Sequence, residues 1–264
     1  MDMIELGEVT LHYRVDGDAD GATIVFANSL GTDFRLWDKI LPRLPAGLRI
    51  VRYDTRGHGL SSCPGGDYTM DELVDECAHL LQALGVRDCL FVGLSIGGII
   101  AQGLASRYPE LLRAMVISNT AARIGTAELW HQRIDALHNG GIESIADNIM
   151  QRWFARSFHR EHSLELLAWR NMLTRTPLNG YIGCCAAIAA TDYSASSAAL
   201  TLPTLAIAGN EDGSVPPEAV RATADLIAGA RYAQIDDSGH LPCVEKPDEY
   251  ARLLNDFIRE TGHA

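Results

Sequence analysis

The segment at residues 89–108 reads CLFVGLSIGGIIAQGLASRY. Residues 89–92 form an apolar run, which is typical of a strand buried on both faces of a sheet. A helix is predicted at 97–108. The pattern G-x-S-x-G at 93–97 lies between them, and its glycines leave room for a sharp strand-to-helix turn. The segment therefore predicts that the hydroxyl of Ser95 is exposed at the carboxyl edge of a sheet, beside a helix N-terminus.

The same alternation of apolar runs and amphipathic stretches continues on both sides of this segment. The first two predicted strands flank a Gly7-Glu8 turn and indicate a hairpin. Strands are predicted at 4–6, 9–15, 22–27, 48–53, 89–92, 112–117, 204–208 and 232–235, and helices at 70–84, 97–108, 219–227 and 250–258. The alternation predicts an α/β fold with a mostly parallel central sheet flanked by helices.

Residues 123–197 interrupt this rhythm, because they read as helical and contain no clear buried strand. We expect a helical cap at 123–197, inserted into a core formed by 1–122 and 198–264. The insert has seven arginines and seven acids, so the rest of the chain, with 15 basic and 27 acidic residues, accounts for the whole net charge of −12. A neutral insert that contains arginines would spare an anionic ligand from repulsion by the acidic core.

Composition excludes several classes of protein. The chain has 264 residues, of which 47% are hydrophobic and 21% charged, as in an ordinary globular protein. Its net charge of −12 argues against nucleic acid as a partner. Uninterrupted apolar runs are too short for a membrane span, and Asp2 and Glu5 lie where a signal peptide would be basic and apolar, so we expect a cytoplasmic protein. Six cysteines without a CxxC pair indicate free thiols.

A serine hydroxyl needs a neighbouring base to act as a nucleophile. His240 follows the predicted strand 232–235, and Asp212 follows the predicted strand 204–208, so both should lie at the same edge of the sheet as Ser95. The sequence predicts that His240 is the general base and that Asp212 orients its ring. Glu211 is the competing acid.

Two backbone N–H groups are expected to stabilise the negative charge that develops on the substrate oxygen. Ile96 follows the nucleophile directly and should provide one of them. The loop after strand 22–27 reads Asn28-Ser29-Leu30-Gly31, and Leu30 should provide the second.

Four motifs together give the chain a family resemblance. They are the elbow GLSIGG, the segment DTRGHGLS at 54–61, the acid in AGNED and the histidine in SGHLPCVEKP. The sequence resembles the α/β-hydrolase superfamily with a helical cap, nearly from end to end. More narrowly it resembles the 3-oxoadipate enol-lactone hydrolases, through NSLG at 28–31, RYDTRGHG at 52–59 and Trp130-x-x-Arg133. This narrower resemblance implies opening of a small anionic lactone to 3-oxoadipate.

A substrate carboxylate favours an arginine with its two-pronged guanidinium. Arg133 lies one helical turn from Trp130, so both can face one pocket, and Trp153 could form an apolar wall. No cofactor or metal is expected, because no dinucleotide fingerprint, phosphate loop or zinc spacing is present. Two alternatives remain open: another capped hydrolase (a carboxylesterase, a carbon–carbon bond hydrolase or a cofactor-free haloperoxidase-like enzyme), or a non-catalytic ligand receptor. The sequence leaves the oligomeric state open.

Overall fold

An eight-stranded sheet crosses the centre of the structure, a computed structural model in which residues 1–263 are described. The strands are β1 (Asp2–Leu6), β2 (Val9–Gly17), β3 (Ala22–Ala27), β4 (Leu48–Tyr53), β5 (Cys89–Leu94), β6 (Leu112–Ser118), β7 (Thr204–Gly209) and β8 (Arg231–Ile235). Their order in the sheet is β1-β2-β4-β3-β5-β6-β7-β8. β2 is antiparallel to β1 and β4, and the other neighbouring strands are parallel. The predicted α/β fold is confirmed.

Helices connect the strands and cover the sheet. They are α1 (Met70–Ala83), α2 (Ile96–Arg107), α3 (Ala127–Gly140), α4 (Glu143–Trp153), α5 (Arg156–Glu161), α6 (Ser163–Thr174), α7 (Leu178–Ala189), α8 (Ser194–Ser197), α9 (Pro217–Leu226), α10 (Pro242–Glu245) and α11 (Pro247–Glu260). Short 3-10 turns span Phe34–Trp37, Leu41–Arg43 and Pro109–Leu111. A capping box between Thr69 and Glu72 fixes the start of α1, where the sequence predicts it.

The turn that contains Ser95 is tighter than the sequence predicts. β5 continues to Leu94 because Gly93 and Leu94 still pair with Ile117 and Ser118 of β6. α2 begins at Ile96 rather than at residue 97. Ser95 alone therefore separates strand from helix.

The strand order creates a crevice beside Ser95. From β3 the chain passes to β4 on one side, and it later returns to β5 on the other side of β3. The loops that follow β3 and β5 therefore diverge at the carboxyl edge of the sheet, and ligands of open α/β sheets bind at such a point. Ser95 follows β5, and the 28–31 loop follows β3.

Between β6 and β7 the described chain has six helices, α3 to α8, and no strand. Aromatic rings form the interior of this insert: Phe154 stacks on Phe158 with ring centroids 4.5 Å apart, and Trp169 lies beside Phe154. α7 approaches the core closely at Gly180, where any side chain would collide with the backbone of Gly57. The insert therefore rests directly on the turn that follows β4.

Two further expectations concern the chain as a whole. All six cysteines are free thiols, as the sequence predicts. Within residues 1–263, no helix is both long enough and apolar enough to cross a membrane.

Candidate active site

Ser95 has a backbone conformation that L residues rarely adopt, with φ 58° and ψ −117°. Its neighbours hold it there: the Ser95 N–H donates to the Ser118 carbonyl at 2.9 Å, and the Thr120 hydroxyl donates to the Ser95 carbonyl at 2.7 Å. Side chains at Gly93 and Gly97 would collide with nearby backbone. Strain of this kind persists only where the surroundings enforce it, and it is frequent at functional sites.

The structure brings Asp212 and His240 together. The Nδ1 atom of His240 lies 2.8 Å from Oδ2 of Asp212, and both side chains are buried. The other carboxylate oxygen of Asp212 accepts hydrogen bonds from the backbone N–H groups of Ser214 and Val215, at 2.7 and 3.0 Å. With Nδ1–H donating to the carboxylate, Nε2 of the ring is left as an acceptor.

Glu211, the competing acid, is not placed at the histidine ring. Its side chain is partly exposed and accepts a hydrogen bond from the backbone N–H of Arg156 at 3.1 Å. The geometry therefore favours Asp212 over Glu211 as the partner of His240.

His240 and Ser95 line the same cavity, but no direct hydrogen bond joins them within the described chain. Nε2 of His240 instead lies 3.5 Å from the hydroxyl of Ser29, a distance at which a hydrogen bond is weak. Catalytic hydrogen bonds are often long in free enzymes and shorten when substrate binds. The basic nitrogen therefore faces the cavity without a strong partner.

The backbone N–H groups of Leu30 and Ile96 both remain free to donate. Within residues 1–263, no acceptor pairs with the Leu30 N–H, and the Ile96 N–H opens helix α2, where no acceptor within the helix is available. The Asn28 side chain fixes the loop by donating to the Tyr53 carbonyl at 2.7 Å and accepting from the Trp37 indole at 2.9 Å. These two hydrogen bonds hold the start of the loop in place near Ser95.

A cavity of about 280 Å³ lies between the sheet edge and the helical insert. The sequence-predicted residues Ser95, His240, Leu30, Trp130, Arg133 and Trp153 all line it. The guanidinium of Arg133 stacks over the ring of Trp130, 4.7 Å from its centroid. No cluster of three or more histidine, cysteine or acidic side chains among the described residues could hold a metal ion.

Comparison with known proteins identifies the family of the chain. Residues 22–247 match the family defined by the alpha/beta hydrolase fold. The chain belongs to this family. A curated relative of this hydrolase-fold chain, 3-oxoadipate enol-lactonase 2 of Acinetobacter baylyi, is 31% identical over 260 residues, which cover 98% of this chain and 96% of the relative.

Two further matches illustrate which kinds of hydrolase are similar to the chain. The crystal structure of the enol-lactonase from Burkholderia xenovorans LB400 superposes with a TM-score of 0.94 at 34% identity and covers 98% of this chain and all of that one. A protein of Pantoea ananatis named as a putative carbamate hydrolase is 30% identical and covers 96% of this chain and 95% of its own length. The chain and these relatives therefore share one fold family, but the relatives are named for different activities.

Asn119 belongs to no motif in the sequence and was not predicted as a site residue. This residue directly follows β6, has a positive φ of 48°, and donates from Nδ2 to Asp212 Oδ2 at 2.9 Å and to the Gly239 carbonyl at 3.1 Å. It therefore links the loop after β7, which contains Asp212, to the histidine loop, which is the segment after β8 that contains His240. A polar side chain directly after a buried strand, the same signal that identified Asp212, could have revealed it.

Glu245 was also missed, and it joins the histidine loop to the insert. Its two carboxylate oxygens accept hydrogen bonds from the backbone N–H groups of Gly239 and Ala155, at 2.7 and 2.8 Å. Burial raises the pKa of Glu245 to about 8. The His240 N–H donates to the Trp153 carbonyl at 2.7 Å, so the end of α4 contacts the histidine loop directly.

The side chain of His58 contacts the 28–31 loop. Its Nε2 accepts a hydrogen bond from the Gly31 N–H at 2.9 Å, and its Nδ1 lies 3.2 Å from the Arg56 carbonyl. Both contacts require a neutral ring with hydrogen on Nδ1. Burial lowers the pKa of His58, which agrees with a neutral ring.

A His58→Gln variant should show how this neutral ring affects stability. Because the folded-state pKa of His58 is lowered, its favourable effect on stability is present above the unfolded-state pKa of about 6.5 and is lost as the pH falls. Glutamine can accept from the Gly31 N–H without titrating. Urea unfolding at several pH values should show the wild type losing stability relative to His58→Gln below about pH 6.5. A difference that is constant with pH would contradict this role.

Proposed function

We propose that the protein is a serine hydrolase that opens the lactone ring of 3-oxoadipate enol-lactone. One observation supports this most strongly: Ser95, held in a strained turn, and His240, paired with Asp212, line the same cavity as Arg133. A nucleophile, a base and a cation around one small cavity suit an anionic acyl substrate. We further propose that the helical insert at 123–197 is the cap that closes this cavity.

In the proposed reaction, the Ser95 oxygen attacks the lactone carbonyl while Nε2 of His240 accepts the hydroxyl proton. The N–H groups of Leu30 and Ile96 stabilise the oxyanion, and each is worth about 3 kcal/mol in the transition state. The ring C–O bond then breaks, and His240 returns the proton to the enol oxygen. A water molecule activated by His240 hydrolyses the acyl-enzyme, and the released enol becomes the ketone of 3-oxoadipate.

The surroundings of Arg133 favour an anionic substrate over a neutral ester. Its guanidinium stacks on Trp130 and makes no ion pair with an acid of the described chain. A cation oriented by an aromatic ring and facing a cavity is well suited to bind a carboxylate. The enol-lactonase names of two relatives agree with this choice.

Steady-state kinetics on the enol-lactone and on neutral p-nitrophenyl esters test the proposal. The wild type should prefer the lactone, and Arg133→Ala should raise the KM for the lactone by about 10- to 100-fold, since a charge-assisted contact is lost. The KM for the neutral esters should change little. A wild type that prefers neutral esters would indicate a carboxylesterase, and an unchanged KM in Arg133→Ala would remove Arg133 from carboxylate binding.

A further inference from the structure

The arginines of the helical insert fall into two groups according to their partners. Of the seven, four form ion pairs with acidic side chains, namely Arg123 with Asp192, Arg156 with Glu211, Arg160 with Glu161, and Arg170 with Glu143 and Asp147. Arg175 is exposed and faces a separate cavity. Arg133 and Arg152 both line the Ser95 cavity, and neither has a carboxylate partner within residues 1–263. The equal numbers of arginines and acids in the insert therefore conceal a local excess of positive charge at this cavity.

Arg152 is held in place at one edge of its guanidinium. It is the penultimate residue of α4, and its Nε donates to the Gly213 carbonyl at 2.7 Å. The Arg152 carbonyl accepts from the Gly213 N–H at 3.0 Å. The two terminal nitrogens of Arg152 make no hydrogen bond within the described chain. The guanidinium is therefore oriented while its donating end stays free for a ligand.

Two guanidinium groups at one cavity are unfavourable without a counter-charge. Burial lowers the pKa of Arg152 and the charge of Arg133 lowers it further, whereas the carboxylate of Asp212 offsets part of this effect. Arginine nevertheless stays protonated in proteins, so the repulsion persists in the free protein. The nearby carboxylate of Asp212 is already engaged by His240, by Asn119 and by two backbone N–H groups. An anion placed in the cavity would relieve this repulsion.

We infer that Arg152 is a second specificity-determining residue, which binds a carboxylate of the substrate together with Arg133. A carboxylate has two oxygens, and two guanidinium groups can each donate to it. The ligand class is a small acyl compound with a carboxylate, of a size that fits about 280 Å³. This inference rests on the proposed function for the reaction, whereas the binding of an anion can be tested without turnover.

Arg152→Met tests the inference, because methionine retains an unbranched apolar side chain and removes the charge. Arg156→Met is the matched control, since Arg156 loses the same charge but its side chain is 92% exposed and lies outside the Ser95 cavity. The substrates are the enol-lactone and its neutral methyl ester. We expect Arg152→Met to raise the KM for the anionic lactone by about 10- to 100-fold and the KM for the methyl ester by less than about threefold. Arg156→Met should change neither.

An equal loss on both substrates would overturn the inference, because Arg152 would then act only by holding the Gly213 loop. An unchanged KM for the anionic lactone would overturn it as well. Arg152→Lys, which retains the positive charge, should recover part of the lost affinity for the anionic lactone.

Calorimetric titration with adipate, a six-carbon dicarboxylate, separates this inference from the proposed function. The wild type and Arg156→Met should bind adipate, and Arg152→Met should bind it at least about tenfold more weakly. If the wild type binds adipate through Arg152 but does not open the lactone, the proposed function fails and the anion site stands. If the wild type does not bind adipate, or if Arg152→Met binds it equally well, the anion site is refuted.

Discussion

A Ser95→Ala variant should lose about 10⁴- to 10⁶-fold in kcat on the enol-lactone, because the only hydroxyl in the strained turn is removed. The variant should remain folded. The Ser95 hydroxyl makes no hydrogen bond within the described chain, whereas the backbone bonds to Ser118 and Thr120 do not depend on the side chain. Steady-state kinetics and thermal unfolding measure the two effects separately.

Ser29→Ala is the matched control for this experiment. Ser29 lines the same cavity, and its hydroxyl lies 3.5 Å from Nε2 of His240. We expect this variant to lose less than about tenfold in kcat, since so long a hydrogen bond is weak. If Ser29→Ala lost activity as severely as Ser95→Ala, or if Ser95→Ala kept full turnover, the assignment of the nucleophile would be wrong.

Asp212→Asn should lower kcat by about 10⁴-fold with little change in KM, because the ring of His240 would lose the acceptor that fixes its tautomer. An asparagine here has one oxygen and one NH₂ group. Its two positions face donors on both sides: Ser214 and Val215 at one, and Asn119 and His240 at the other. If the NH₂ group faces Ser214 and Val215, it meets two N–H donors. If it faces Asn119 and His240, it meets the NH₂ group of Asn119, and it can donate to the ring of His240 only when the ring hydrogen moves from Nδ1 to Nε2, which removes the base.

Glu211→Gln is the control for Asp212→Asn, because it makes the same chemical change at the adjacent residue. Glu211 contacts the backbone of Arg156 and does not reach His240, so kcat should change by less than about threefold. Comparable losses in the two variants would contradict the choice of Asp212.

The turn at Ser95 could be predicted from sequence because its causes are local. An apolar run, two glycines and a following helix all lie within 89–108, and the structure departs from the prediction only in the lengths of β5 and α2. Asp212 and His240 could be predicted because the ends of parallel strands meet at one edge of a sheet. The choice between Asp212 and the adjacent Glu211 could not be made from sequence, since both follow the same strand and only their contacts in the structure distinguish them.

Contacts between distant segments could not be predicted. Seven arginines and seven acids in the insert gave no indication of which side chains pair, so Arg152 was not distinguished from Arg156 or Arg160. Glu245 reads as a surface acid of a short helix, yet it binds two backbone N–H groups on two different segments. These arrangements depend on how the helical insert rests on the core, and no periodicity in the sequence encodes that packing.

We propose Ser95 as the single nucleophile and His240 as the base that activates it. Intact-mass and peptide mass spectrometry after exposure to an organophosphorus fluoride, which phosphorylates activated serines, tests this most directly. We expect one adduct per chain, located on Ser95, formed in step with the loss of lactone turnover and absent or very slow in His240→Ala. An adduct on another residue, or full turnover after complete labelling of Ser95, would contradict it.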